Sequence, residues 1–369
     1  MALLAEVMDA LGELFPWELA TERDGGGLLV GCLDADVRRV MCSIEVAGDR
    51  VQAALDAGCD LLVVHHPHLL RSEMPPWNSD DPAGALARRA TVGGLNVVGC
   101  HTSADAAAGG VGDLMAEHLG VDILGPVEPA AGVYIAKVVV FIPPEAVESV
   151  SDAMAGAGAG VIGEYTHCSF RVQGSGTFIP GATARPYTGN PGMLNVEDEV
   201  RLEMVVPSFR VPAVVDAMLD KHPYDEVAYD IYRTENLVPW GIGRLGNLPE
   251  ARKLCEIMED LVDWCASDRA VLTGEPERSV TKVALVPGYA GTRVGRARAS
   301  GAELLVAGEV GWHSAVEAGE SGMDLLTVGH LESERPLVPR MVEGLLEVSR
   351  RGGFGLEVQG YRDNEGRWG

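Results

Sequence analysis

Asp60-Leu61-Leu62-Val63-Val64-His65-His66-Pro67 is the stretch from which the fold is read. Four consecutive apolar residues, opened by an aspartate and stopped by a proline that cannot continue a ladder, describe a strand buried on both faces. Such strands belong to parallel sheets in α/β proteins. Ligands in open α/β sheets bind at the carboxyl edge, and His65 and His66 fall there. Successive strand residues point to opposite faces, so the two imidazoles serve one ion only if the strand end twists or bulges; otherwise they serve two ions side by side. Taken alone, such a pair is more often one hydrogen-bonded core histidine and one solvated one. The rest of the chain shifts that balance.

Downstream, Gly322-Met323-Asp324-Leu325-Leu326-Thr327-Val328-Gly329-His330 repeats the pattern of Gly58 to His66, with Asp324 matching Asp60 and His330 matching His66. Glu334 follows His330 by four residues, the spacing that stacks two side chains on one helical face. Between these pieces Val97-Val98-Gly99-Cys100 reads as a third strand running into His101-Thr102-Ser103-Ala104-Asp105. The candidate metal donors are therefore His65, His66, Asp105, His330 and Glu334. Five donors exceed what one tetrahedral zinc takes, whereas a two-metal site uses bridging carboxylates and keeps positions open. The expected cofactor is two divalent metal ions per chain. Imidazole and carboxylate without thiolate suit zinc, iron, manganese or cobalt and do not choose among them.

With these residues in view, DLLVVHHP (60–67), HTSADAAAGGVGD (101–113), GRLGNL (243–248), GEVGWH (308–313) and GHLESE (329–334) resemble, in order, the motifs of the Ngg-interacting-factor-three-like family. Its members are also called GTP cyclohydrolase type 2 homologues. The resemblance spans nearly the whole chain and implies the same five ligands. Departures lie at Ser103-Ala104, where relatives carry Asn-Leu, at Gly311-Trp312, where they carry Lys-His, and at Arg23-Asp24-Gly25-Gly26-Gly27, where they carry Trp-Asp-Asn-Val-Gly.

Composition bounds the function. At 369 residues, 47% hydrophobic and 22% charged, the chain is globular and long enough for two or three folding units. Acidic residues outnumber basic ones 54 to 29, a net charge of −25, which argues against a nucleic-acid or anionic-membrane surface. A phosphorylated substrate would need the metals and local cations such as Arg244 to offset that field. No apolar run is long enough to span a membrane, and the start reads as an amphipathic helix. Seven scattered cysteines without a Cys-x-x-Cys pair argue against a disulfide framework or a zinc ribbon and place the protein in the cytoplasm.

The chain also repeats itself at a separation of 64 residues. Lys137–Pro143 aligns with Arg201–Pro207, Asp152-Ala153-Met154 with Asp216-Ala217-Met218, and Tyr165 with Tyr229. Each copy reads strand, proline, helix, strand, and two in tandem predict a ferredoxin-like βαβ-repeat insert over residues 132–235. Tyr165–Phe170 and His222–Glu226 resemble the PII-like or cation-tolerance-like insert of longer family members. Residues 174–198, rich in Gly, Pro and Thr, read as a loop. His167 and His222 lack partner patterns and read as structural. The expected fold class is α/β: residues 1–131 and 236–369 form two halves of one metal-binding domain interrupted by the insert.

Two function classes follow. One is a metal-dependent hydrolase, in which Glu309 and His313, four residues apart, are candidates for proton transfer; the alternative is a helix-terminal carboxylate and a surface histidine. His101 could orient Asp105. The resemblance implies hydrolytic opening of a purine nucleotide ring and a toroidal hexamer. The other class is a metal-binding, metal-trafficking or small-molecule-sensing scaffold without turnover.

Overall fold

A computed structural model describes residues 2–22, 24–67, 81–363, 366–367 and 369. The chain divides into two units, Met1–Ala131 with Pro239–Gly369, and Gly132–Val238.

The first unit holds two sheets. In one, strands Glu357–Gly360, Arg39–Glu45, Leu61–His66 and Asn96–Gly99 run parallel, and Gly27–Val30 pairs antiparallel at the edge. Leu61 to Val64 are fully buried because both faces are covered. Leu62 and Val64 pack with Val51, Ala54, Leu86 and Ala90 of the helices Gly48–Asp56 and Pro82–Val92. On the other side lies Leu337–Gly352, which packs on Arg39–Glu45 and Glu357–Gly360. Its buried Leu337, Val338, Met341, Leu345 and Val348 recur at the three-and-four spacing of one helical stripe.

The second sheet has the order Val271–Thr273, Asp324–Thr327, Leu304–Glu309, Ser279–Tyr289, Arg244–Lys253, Asp122–Gly125, its second to fourth strands being parallel. This parallel triple repeats strands Arg39–Glu45, Leu61–His66 and Asn96–Gly99 of the first sheet. Asp60 Oδ2 accepts the backbone N–H groups of Arg38 and Arg39, both at 2.8 Å, and Glu303 Oε2 likewise accepts those of Thr281 and Lys282 at 2.8 and 2.9 Å. Asn96 N donates to Asp60 O, and Asp324 N to Glu303 O, each at 2.9 Å. The sequence reading pairs Asp60 with Asp324. Backbone register instead makes Glu303 the counterpart of Asp60, and so Gly308 and Glu309 the counterparts of His65 and His66.

In the second unit, strands Phe170–Phe178, Asn195–Pro207, Ile135–Ile142 and Tyr229–Arg233 form an antiparallel sheet in that order, and helices Val147–Gly156 and Val211–Lys221 share its core. The first strands of the two sequence repeats lie side by side at the centre, Val140 opposite Leu202. Two local readings are corrected. Tyr165 sits in a turn bridged to Ile162, and the strand starts only at Phe170. The expected loop 174–198 is shorter, because residues 174–178 and 195–199 pair with each other beyond the end of the central strand.

His222 is buried; its Nε2–H donates to Phe141 O at 3.0 Å and its Nδ1 accepts Tyr224 N–H at 3.2 Å, a pattern only the neutral ring can make. Burial accordingly lowers its pKa below the ordinary histidine value. Because the unfolded chain binds this proton more readily, His222 contributes stability that is present above the unfolded pKa and is lost as pH falls through the folded one. Denaturant melts of the full chain should show a second-unit transition that weakens between about pH 6.5 and lower values. In His222→Gln that pH slope should flatten; an unchanged slope would exclude His222 as its source.

Candidate metal centre

The ends of strands Arg39–Glu45, Leu61–His66, Leu304–Glu309 and Asp324–Thr327 and the short helix His330–Glu334, all from the first unit, line one cavity of about 810 Å³. His65 is fully buried at the end of its strand. Its Nδ1–H donates to Cys100 O at 3.0 Å, which leaves Nε2 as the ring atom that faces the site. His66 follows, and the two rings lie 4.6 Å apart. They share one carboxylate: Glu334 Oε1 is 3.6 Å from His65 Nε2, and Glu334 Oε2 is 3.1 Å from His66 Nε2. His65, His66 and Glu334 offer ligand atoms all within 4.8 Å of one another, a group able to hold a metal ion.

The other two expected donors stand at the same place. Asp105, on helix Thr102–Ala106, puts Oδ1 3.6 Å from His65 Nε2. His330 opens helix His330–Glu334, and its Nε2 is 3.5 Å from Glu334 Oε1. Gly288, at φ +68°, makes room for this pair: a Cβ there would lie 2.3 Å from Glu334 Oε1. This is the role of Gly288, near the end of strand Ser279–Tyr289, in the segment Gly288-Tyr289-Ala290-Gly291, which in sequence bears only a weak likeness to a phosphate loop.

The electrostatics ask for a cation. Glu334 is 3% exposed, its Oε2 is buried 3.1 Å from His66 Nε2, and His65 Nε2 is buried without a hydrogen-bond partner; a carboxylate in that position is costly unless paired. Burial opposes a proton on His65, yet the Asp105 and Glu334 carboxylates outweigh it and raise its pKa to about 9. Burial would raise Glu334 as well, but the two imidazoles hold it well below the usual carboxylate range. Burial, with the His65 charge beside it, lowers His66, and burial raises Asp105. Imidazole nitrogens and buried carboxylate oxygens gathered in this way are a donor set and charge that fit a metal ion.

Two further carboxylates support the cluster: Asp24, which the sequence reading does not single out, and Glu309, which it offers for proton transfer and not for this role. Asp24 Oδ1 accepts the Thr102 backbone N–H at 2.9 Å and lies 3.0 Å from His101 Nδ1, so it anchors the helix that carries Asp105. Its signal was present: Asp24 survives in the altered Arg23–Gly27 motif, and a Cβ on Gly26 would lie 2.7 Å from Asp24 Oδ2. Glu309 Oε1 accepts His330 Nδ1–H at 3.1 Å, the arrangement that fixes a ligating histidine's tautomer. Register had already made Glu309 the counterpart of His66. His313, by contrast, is exposed in the first turn of helix Trp312–Glu320 and does not line the cavity.

Arg244 requires a correction. The sequence reading offers it as a local cation for a phosphorylated substrate, but it is 1% exposed and its guanidinium is committed to Asp113 and to the carbonyls of Ala107, Gly241 and Gly243. The cations that line the cavity are Arg269, Arg335 and Arg367.

Residues 2–365 match the family model Duf34/NIF3 (NGG1p interacting factor 3). The chain belongs to the NIF3 family. This NIF3 protein is 33% identical to a GTP cyclohydrolase 1 type 2 homolog of Bacillus subtilis, over 96% of this chain and 94% of that one. It is 35% identical to the Mycobacterium leprae protein of the same name, over 91% and 88%. A Bacillus cereus protein related to NIF3 has a similar structure, with TM-score 0.86, 30% identity and coverage of 98% of this chain and 97% of that one. The mixed α/β fold of the NIF3 chain is therefore that of its family, and no helix among the described residues is long and apolar enough to cross a membrane.

Proposed function

We propose that this NIF3 protein is a cytosolic hydrolase with a dinuclear metal centre held by His65, His66, Asp105, His330 and Glu334, acting on a purine nucleotide as the name of its relatives suggests. The observation that carries the reading is the buried Glu334 carboxylate, which touches three imidazoles while His65 Nε2 has no hydrogen-bond partner. When bound, two divalent ions supply a water of pKa near 7 and polarise the attacked carbon. The chain's own residues hold and orient: Glu309 aligns His330, and Asp24 holds His101 at the cavity wall. Proton transfer falls to Glu309 before His313, since only Glu309 lines the cavity. Seven free thiols suit a cytosolic setting. Assembly into a toroidal hexamer belongs to the same proposal, and sedimentation of the full chain measures it.

Protein reconstituted with zinc, iron or manganese should bind two equivalents and release formate from GTP. At saturating metal Glu309→Gln should still load both ions and lose roughly 10²–10⁴-fold in turnover. A stoichiometry of one, unchanged by excess metal, would sink the dinuclear centre. Full metal loading with no nucleotide consumed would leave a metal-binding scaffold in place of the hydrolase.

A further inference from the structure

The second unit contains a cavity of about 430 Å³, far from any role in metal chemistry by composition, walled by the connection between its two long strands and by the segment after helix Val211–Lys221. The volume is that of a small-molecule pocket. Phe178 and Pro186 give it apolar walls, and the rings of Tyr187 and Tyr224 stand 6.0 Å apart, centroid to centroid. Its charged lining is of one sign: Glu199, Asp225 and Glu226, with no lysine, arginine or histidine.

Glu199 is built into this cavity. Its Oε1 accepts the Tyr224 hydroxyl at 3.1 Å, and its carboxylate lies across Gly176 on the neighbouring strand, where a Cβ would be 2.2 Å from Oε2. Any side chain at 176 would evict the carboxylate. Tyr224 is fixed in turn by its backbone bond to buried His222 and by an edge contact between the two rings, 4.9 Å apart. Burial and the Glu199 carboxylate raise the Tyr224 pKa, so the phenol stays protonated and keeps donating.

We propose that this cavity binds a small organic cation, an alkylammonium or guanidinium compound, with its charge on Glu199 and its carbon skeleton against Tyr187 and Tyr224. A cation over aromatic faces and beside a carboxylate gains from both, while an anionic ligand such as a nucleotide would meet three carboxylates and no cation. A bare metal ion is a poorer occupant, because the three carboxylates do not converge as a ligand group, whereas His65, His66 and Glu334 do. The proposal is independent of the reaction at the metal centre.

Calorimetric titration of the full-length protein with tetramethylammonium, n-butylammonium and ethylguanidinium tests it, with n-butanol as the neutral control. At least one cation should bind and butanol should not. Glu199→Gln, of the same shape, should weaken binding by ~10-fold or more, and Gly176→Ala should do the same by displacing the carboxylate. Asp152→Asn, an exposed acid of the same unit outside the cavity, should change nothing. Failure of all three cations to bind would overturn the proposal. So would binding that survives unchanged in Glu199→Gln, which holds whether or not Gly176→Ala folds.

Discussion

Glu334→Gln is expected to empty the metal centre. Its carboxylate lies within 3.6 Å of His65, His66 and His330 together, and among the described residues it spans the cluster as no other donor does. The amide has the same shape but carries no charge, and it can offer one ligating oxygen in place of two. Losing an outer hydrogen-bond partner of a ligand costs roughly 10–100-fold in metal affinity, and loss of this carboxylate should exceed that. Asp105→Asn should also weaken loading, whereas Glu309→Gln, which acts through His330, should fall inside the outer-partner range. Metal titration of the three variants, monitored by calorimetry, orders them. A Glu334→Gln protein that loads like the parent would remove Glu334 from the ligand set and with it the centre as described.

Arg244→Met should destabilise the first unit by about 3–5 kcal/mol, the usual cost of breaking a buried ion pair from one side. The guanidinium bonds Asp113 and three carbonyls, and the methionine leaves all of them without that donor. Function should fall with stability although no ligand is touched. Ala107, which follows the Asp105 helix, gives its carbonyl to Arg244 Nη2 at 2.8 Å, and Asp113 Oδ2 holds the Gly109 N–H at 2.7 Å. Arg244 and Asp113 thus set the turn that aims Asp105. Chemical denaturation measures the loss, and a double variant with Asp113→Ala should lose less than the sum of the two single variants, since both remove one interaction. Strict additivity would show that the two side chains act separately.

The pair also explains two motifs that the sequence presents without a reason. The aspartate closing HTSADAAAGGVGD and the arginine in GRLGNL are 131 residues apart, on either side of the second unit, and they meet as one contact. From sequence, Arg244 reads as an available surface cation because charged residues usually are. Its burial becomes visible only when the strand Arg244–Lys253 is placed in its sheet beside helix Val111–Leu119.

Local patterns carried a good deal. The run Leu61 to Val64 specified a doubly buried parallel strand whose end carries the histidine pair to the cavity, because burial on both faces is written in consecutive apolar residues. The four-residue spacing of His330 and Glu334 placed them on one helical face, and the 64-residue repeat marked the strands that pair at the centre of the second unit. Each of these depends on dihedral preference and on periodicity over a few residues, which a chain displays in order. The partners of those residues do not. Asp24 beside His101, Glu309 beside His330, and Glu303 in the place first given to Asp324 follow from strand order and register, which are set by the packing of distant apolar faces. A carboxylate in a loop has the same local appearance whether it faces water or a histidine. Only the closure of two sheets around one cavity distinguishes them, because the energy that selects the partner comes from burial in the folded chain.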